Sequence, residues 1–367
     1  MPGAAVGGRL RNAATSSSAP QVPPLSPQFT PDWMPLTAAD EAIEADGPVH
    51  VARRLPVLRG NTPTHSYEEC RVAEQAEVGR GVSPAKRAGR GRRRERAQQL
   101  TVVVMSFQVE NHGVLDRLIC NYEPFDVVRN VLLVWNNVDE PPPQLRCTRK
   151  LIIKRQQRNT LVNRYREWPH IATRAVLLSD DDLTMCEEGV NAMLRVWSEH
   201  PTQMVGVGAR KHRDLSDRLP KGSPPAYQYQ EGGLDPSGKY RAYSMMTGRL
   251  NLLHRRYLRM FMQGLPRHLV EYVHTHKPTC EDMLLSFMVS NHTGLPPIHL
   301  RGIESCRRTI EPEALEDTGA SNMHASVTGW NMKRTLCLNR LHGEFGRMPL
   351  VLSSCNVALN ASQTGGS

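Results

Sequence analysis

The chain reads as an α/β protein, and three observations lead there. Short apolar runs of strand length recur through its middle, amphipathic stretches of helical period fall between them, and polar residues gather directly after the runs. The first run is Leu100-Thr101-Val102-Val103-Val104-Met105, whose nearly unbroken apolar character is that of a strand covered on both faces. A helix is predicted over about Gly113 to Tyr122, followed by strands at Val131 to Trp135, Leu151 to Ile153 and Ala175 to Leu178. Strands separated by helices become parallel neighbours, so the expected sheet is parallel. Farther on, Cys186 to Trp197 has the pattern of an amphipathic helix and Met204 to Gly208 that of another strand. Leu219 to Gly238 is a Pro/Gly-rich loop, and Leu250 to Met262 and Asp282 to Ser290 read as helices on either side of a His-rich stretch, His268 to His276.

Composition sets the limits. Residues 1 to 98 are rich in Pro, Gly, Ser, Ala and Arg without sustained periodicity, so they are expected to be a largely disordered basic leader, with 355–367 a flexible tail. That leaves 99–354 for the folded domain, long enough to bury a substantial core. The net charge is +10, but Lys86 to Arg96 carries seven basic residues and one acid; removing its +6 leaves +4 for the rest. A body so mildly basic suits an anionic small molecule as well as a nucleic acid. The basic run lacks neighbouring aromatic residues for base stacking, which counts against a nucleic-acid-binding role, and no specific nucleic acid partner is expected. No apolar stretch is long enough to span a bilayer. The eight cysteines lack the close pairs of a zinc site, and one or two disulfides are compatible with their spread.

Chemistry concentrates at the ends of the predicted strands. Asp180, Asp181 and Asp182 follow directly on Ala175 to Leu178, at the sheet edge where α/β proteins bind ligands. Like charges side by side are relieved by a divalent ion that prefers oxygen ligands, with a diphosphate completing its shell. A solvated loop leading into an acidic helix N-terminus, continued by Glu187 and Glu188, explains the same residues without function. Trp135-Asn136-Asn137 ends the second strand, and Arg158, Asn159, Asn163 and Arg164 follow the third. Asn pairs with base edges or ribose hydroxyls and Arg with phosphates, so the set suits a nucleotide lying across the sheet.

These residues occur in an order that resembles the glycosyltransferase family 64 domain of exostosins, exostosin-like proteins and their plant relatives. The succession is Val134-Trp135-Asn136-Asn137, Asn159-x-x-x-Asn163-Arg164, Asp180-Asp181-Asp182, Val205-Gly206, Arg210-Lys211-His212, Tyr243-Ser244-Met245, Cys280-Glu281-Asp282 and Arg334-x-x-Cys337. The resemblance implies a GT-A fold, with 99–210 as a Rossmann-like nucleotide-binding half and 211–354 as an acceptor-binding half. It implies retaining transfer of a sugar, of GlcNAc or GalNAc type, from a UDP-sugar to a glycan or glycolipid, with Mn2+ or Mg2+ as cofactor. By matching position, Asn136, Asn159 and Arg164 would hold the nucleotide with Asp180 and Asp181, while Asp180 and Asp182 would hold the metal. Asp282 and Arg334 would be catalytic, and Cys280 and Cys337 would form a disulfide. The family's usual setting implies a membrane-associated enzyme of the Golgi or endoplasmic reticulum.

Alternatives stand beside each assignment. Cys280-Glu281-Asp282 is also a plausible dipole-favoured first turn of a helix, Arg334 a solvated helix residue, and Tyr243 a core residue. The chain departs from the family where relatives carry Tyr-Asn-Arg after the first strand and this one has Phe107-Gln108-Val109-Glu110-Asn111. That departure leaves open a protein that binds a nucleotide sugar without transferring it.

Overall fold

The computed structural model describes residues 99–107, 112–232, 241–275, 280–301, 307–309, 329–354 and 356–358. Chain contacts divide the protein into Met1–Asp32 and Trp33–Ser367, and every described residue belongs to the second unit. The predicted leader, residues 1–98, lies outside the described residues.

At the centre of the α/β architecture is an eight-stranded sheet. Strand β1 (Leu100–Ser106) lies between β2 (Val128–Trp135) and β4 (Ala175–Ser179), parallel to both, and β3 (Leu151–Arg155) extends the sheet beyond β2. All seven residues of β1 are buried because both faces are covered. Alternate side chains divide between two cores: Leu100, Val102 and Val104 pack with Leu133, Trp135 and Leu177, whereas Val103 and Met105 pack with Leu132, Val134 and Leu178. Helices α1 (His112–Tyr122) and α2 (Glu187–Glu199) supply Leu115, Leu118, Ile119, Val190, Met193 and Trp197 to the first core. The predicted helix at Gly113 to Tyr122 is therefore found, starting one residue earlier.

The other half of the sheet differs from the expectation of a purely parallel arrangement. Leu250–His254, read from sequence as the start of a helix, is strand β10, inserted antiparallel between β4 and β6 (Val205–Gly206). Both of its faces are covered, with Leu250 and Leu252 in one core and Leu253 in the other. Only after it does the chain turn helical, in the short α3 (Arg256–Arg259) and the π-turn Met260–Gly264. The His-rich stretch is mostly helix α4 (Arg267–Thr275). Strand β11 (Ile298–Arg301) pairs with β6, and β13 (Asn356–Ala358), within the predicted tail, pairs with β11.

Helix α5 (Glu281–Thr293) is buried from Glu281 through Ser290, which its apolar residues on every side allow. It stops at Gly294, whose φ of 67° is left-handed and whose N–H donates to the Ser290 carbonyl. A smaller sheet joins β7 (Ala209–Asp214) to β8 (Tyr227–Glu231) and β9 (Met245–Met246). Strand β8 arises within the predicted Pro/Gly-rich loop, and helix α6 (Trp330–Phe345) covers its open edge. Thr335 Oγ1 accepts from Tyr229 N–H at 3.1 Å, and Asn339 pairs with both backbone groups of Tyr227. A two-stranded ribbon of β5 (Leu183–Met185) and β12 (Arg307–Thr309) completes the described structure. None of the described helices is long and apolar enough to cross a membrane.

Candidate active site

Parallel register sets the first part of the site. Ser106 ends β1 opposite Trp135, while Asp180 follows the last residue of β4, so Ser106, Asn136 and the three aspartates meet at one edge of the sheet. The Asp180–Asp182 turn is held from both sides. Asp180 N–H donates to the Arg249 carbonyl at 2.9 Å, and the Ser179 hydroxyl lies within bonding distance of the Asp180 and Leu183 carbonyls. Ser106 donates to Asp181 Oδ2 at 2.6 Å. Burial pushes the Asp181 carboxyl up to about 6, against the lowering effect of that bond and with added repulsion from Asp180 and Asp182. Asp182 reaches solvent, yet partial desolvation and the charge of Asp180 also raise its pKa.

Arg164 enters from the turn Leu161–Tyr165, capped by the Thr160 hydroxyl. Its Nη1 donates to Asp180 Oδ1 at 3.0 Å and to the Gly248 carbonyl at 3.4 Å. Gly248 leaves room for this guanidinium: a Cβ would stand 2.6 Å from Arg164 Nη1 and push it aside. Asn136 is nearly inaccessible, and its amide is engaged at both ends. Its Nδ2 donates to Asn159 Oδ1 (3.1 Å) and to the Thr160 carbonyl (3.0 Å), and its Oδ1 accepts from Asn163 Nδ2 (2.6 Å). Asn136 thus braces Asn159, which is only half-buried and lies nearer the surface. Arg158 is exposed and pairs with His274.

The second part comes from α5 and α6. Asp282 and Arg334 are both buried, and Arg334 Nη2 lies 2.8 Å from each carboxylate oxygen. Cys280, just before α5, is disulfide-bonded to Cys337, one turn beyond Arg334, with Cα atoms 5.9 Å apart. The guanidinium also lies 4.7 Å from the Tyr229 ring centre and 5.4 Å from that of Trp330. A second disulfide joins Cys120 and Cys147, beside the Arg146–Asp116 ion pair. Of the remaining motif residues, Arg210 donates to the Tyr229 hydroxyl, His212 bonds to Ser244, and Tyr243 is a core residue whose hydroxyl accepts from His299 N–H.

Glu281 opens α5, directly before Asp282. It is buried, and its pKa is driven up by burial and by Asp282, with Arg164 and Arg334 opposing. It therefore feels both the arginine that grips Asp180 and the one that grips Asp282. From sequence alone Glu281 has no role of its own beside Asp282, and Ser106, Tyr165, Gly248 and Tyr229 do not stand out. Position supplied the only available signal, since Ser106 ends a strand and Glu281 precedes Asp282.

The domain thus carries acidic and amide groups at one sheet edge and a buried carboxylate–arginine pair between α5 and α6. Residues 100–362 match the model of the glycosyl transferase family 64 domain, and the chain belongs to that family. Among curated relatives, it is 28% identical over 254 residues to the Exostosin-like-3 homolog of Caenorhabditis elegans, covering 68% of this chain and 29% of that protein. It is 26% identical to glycosylinositol phosphorylceramide mannosyl transferase 1 of Arabidopsis thaliana and 27% identical to mouse Exostosin-like 2; each match covers 67% of this chain and 72% of the relative. The chain thus spans under a third of the first of these proteins and nearly three quarters of the other two.

Proposed function

We propose that this protein is a metal-dependent retaining glycosyltransferase that moves a sugar, of GlcNAc or GalNAc type, from a UDP-sugar to a glycan or glycolipid acceptor. The observation that carries this reading is the occurrence, in a domain of this family, of two ion pairs at the expected motif residues, Arg164–Asp180 and the buried Arg334–Asp282. The name of the Arabidopsis relative supports a glycolipid among the acceptors to consider.

Carboxylate oxygens suit Mn2+ or Mg2+, and Asp180 and Asp182 are the residues that would hold the ion. Among the described residues no three His, Cys, Asp or Glu side chains form a cation cage, so the donor's phosphates would supply further ligands, as hard divalent ions commonly require. When bound, such an ion neutralises charge on the leaving diphosphate. Arg164 adds a fixed positive charge on the same side, while Asn159, braced by Asn136, contributes to holding the nucleoside. Arg334 faces the negative charge that develops on the leaving group, and Asp282 favours the positive charge that develops on the sugar ring. Tyr229 and Trp330 keep the Arg334 guanidinium in place between acid and ring faces.

The Cys120–Cys147 and Cys280–Cys337 disulfides, together with exostosin-like relatives, support work in an oxidising lumen, the Golgi or endoplasmic reticulum. Calorimetry with UDP and Mn2+, paired with a screen of nucleotide sugars for UDP release, tests the reading. Binding should require the ion and be lost in the Asp180→Ala/Asp182→Ala variant. Undiminished binding by that variant would defeat the metal assignment, and binding without release from any donor would make the protein a non-catalytic member.

A further inference from the structure

The chain contains two Asn-x-Ser/Thr triplets, Asn291-His292-Thr293 and Asn360-Ala361-Ser362, the pattern on which an N-linked glycan is placed in the secretory pathway. The second lies outside the described residues, while the first ends helix α5. That helix is buried without a break from Glu281 through Ser290 and comes to the surface at the triplet, where Asn291 and Thr293 are partly exposed and His292 and Gly294 exposed. The Asn291 amide is engaged at one end alone. Its Oδ1 accepts from Nη2 of Arg347, the residue after the Gly346 cap of α6. Its Nδ2 donates to none of the described residues and is open to solvent. Nδ2 is the atom to which a glycan is joined, and the join leaves Oδ1 free to keep Arg347. The Thr293 hydroxyl donates to the Val289 carbonyl at 2.8 Å and accepts from Leu295 N–H at 3.2 Å. Residues two apart on a helix do not face each other, so Thr293 cannot assist Asn291 once α5 has formed. Modification therefore belongs to the nascent chain, and the fold has only to leave room for the product, as it does at this helix end.

We propose that Asn291 is an N-glycosylation site, modified as the chain enters the lumen. This inference rests on the reading of the protein as one that works in that compartment. The co-reactant is an oligosaccharide carried on a lipid diphosphate, and the transfer is made by the secretory pathway's own enzyme. Asn291 Nδ2 bonds to the anomeric carbon of the first sugar and gives up one amide proton, while the bond from that carbon to the diphosphate breaks and the lipid diphosphate leaves. The glycan stands clear of the proposed transfer site. Asn291 lies nine residues beyond Asp282 on the same helix, about 14 Å along its axis, at the opposite end of α5.

The full chain can be expressed in animal cells in two forms, as it stands and with a cleavable secretory signal ahead of Met1, each carrying Asn360→Gln so that a single triplet remains. Treatment with peptide N-glycosidase should shift the signal-led protein on a gel by one glycan and convert Asn291 to Asp in its peptide, read by mass spectrometry. Asn291→Gln and Thr293→Ala should each abolish both changes, although the second keeps the asparagine. Because modification precedes folding, retained chain reports as well as secreted chain. A signal-led chain with Asn291 unmodified overturns the site, and so does a glycan that persists at Asn291 in Thr293→Ala. A glycan on the signal-led chain and none on the chain as it stands supports the site and overturns the lumenal reading. A glycan on both supports the two together.

Discussion

Arg334→Met keeps the length and apolar stem of the side chain but deletes the guanidinium, leaving Asp282 a buried carboxylate without its partner. The native side chains are 3% and 6% exposed, and one nitrogen of Arg334 holds both oxygens of Asp282 at 2.8 Å, so little water can take over. Removing one member of a buried ion pair costs about 3–5 kcal/mol, because the surviving charge remains desolvated. Glu281 alongside makes matters worse, since its own charge repels that of Asp282. In a domain of this size each kcal/mol lowers the midpoint by about 2–4 °C, so Arg334→Met should melt roughly 6–20 °C below wild type.

The pair can be separated from its surroundings with a cycle. Asp282→Asn leaves Arg334 its two aromatic faces and an amide oxygen, so it should cost less than Arg334→Met. The double variant carries neither buried charge and should be more stable than the two single losses sum to, with a coupling of about 0.5–3 kcal/mol. Urea titrations of all four proteins at pH 7, with the disulfides kept oxidised, measure this directly. Additivity, or an Arg334→Met variant as stable as wild type, would refute the argument that these charges form a desolvated pair.

Gly248→Ala should spare the fold yet displace the Arg164 guanidinium, whose Nη1 would stand 2.6 Å from the new Cβ. UDP affinity in the presence of Mn2+ should fall on the order of tenfold, and an unchanged isotherm would show that Arg164 does not serve the donor. Asp181 makes stability depend on pH. Its folded pKa of about 6 lies above the ordinary 3.8, so the native state holds the proton more tightly than the unfolded chain does. Its contribution is therefore present in full below about pH 4 and is lost as pH rises through 6, a change on the order of 1–2 kcal/mol in metal-free buffer. Asp181→Asn should flatten that slope in urea midpoints measured across the range; the same slope in the variant would place its origin elsewhere.

How far sequence could see depended on whether a residue's surroundings were local. Strands β1, β2 and β4 were legible because covering both faces demands a continuous apolar run. Leu250, Leu252 and Leu253 were not, since their spacing fits a helix face as readily as a strand, and only pairing with β4 and β6 decides. Tyr227 and Tyr229 alternate inward in β8, but the Pro/Gly-rich stretch around them concealed a two-residue period. Asp180–Asp182 could be noticed because the group directly follows a recognisable strand. Asp282 and Arg334 lie 52 residues apart and meet through the Cys280–Cys337 linkage, so no local pattern predicts their contact; only resemblance to a family suggested it.

The balance of charge gives the site a physical direction. Asp180 repels Asp181 and Asp182, with Arg164 and Arg249 opposing at Asp182, and Asp282 repels Glu281, with Arg164 and Arg334 opposing. Burial is the largest cause of the upward shifts of Asp181, Asp182 and Glu281, and repulsion from neighbouring carboxylates adds to each. A diphosphate approaching such a surface brings further negative charge, so the protein alone would repel the donor it is proposed to bind. A divalent ion reverses that balance at Asp180 and Asp182, and it need not disturb the buried Asp282–Arg334 pair, which is already neutral. Metal dependence in this reading therefore follows from the excess of carboxylates at the donor end. UDP affinity measured without a divalent ion should accordingly be weakest where the acids are fully ionised, above about pH 7, and should improve as pH falls. With the ion present the trend should reverse, because protonating the acids then removes its ligands.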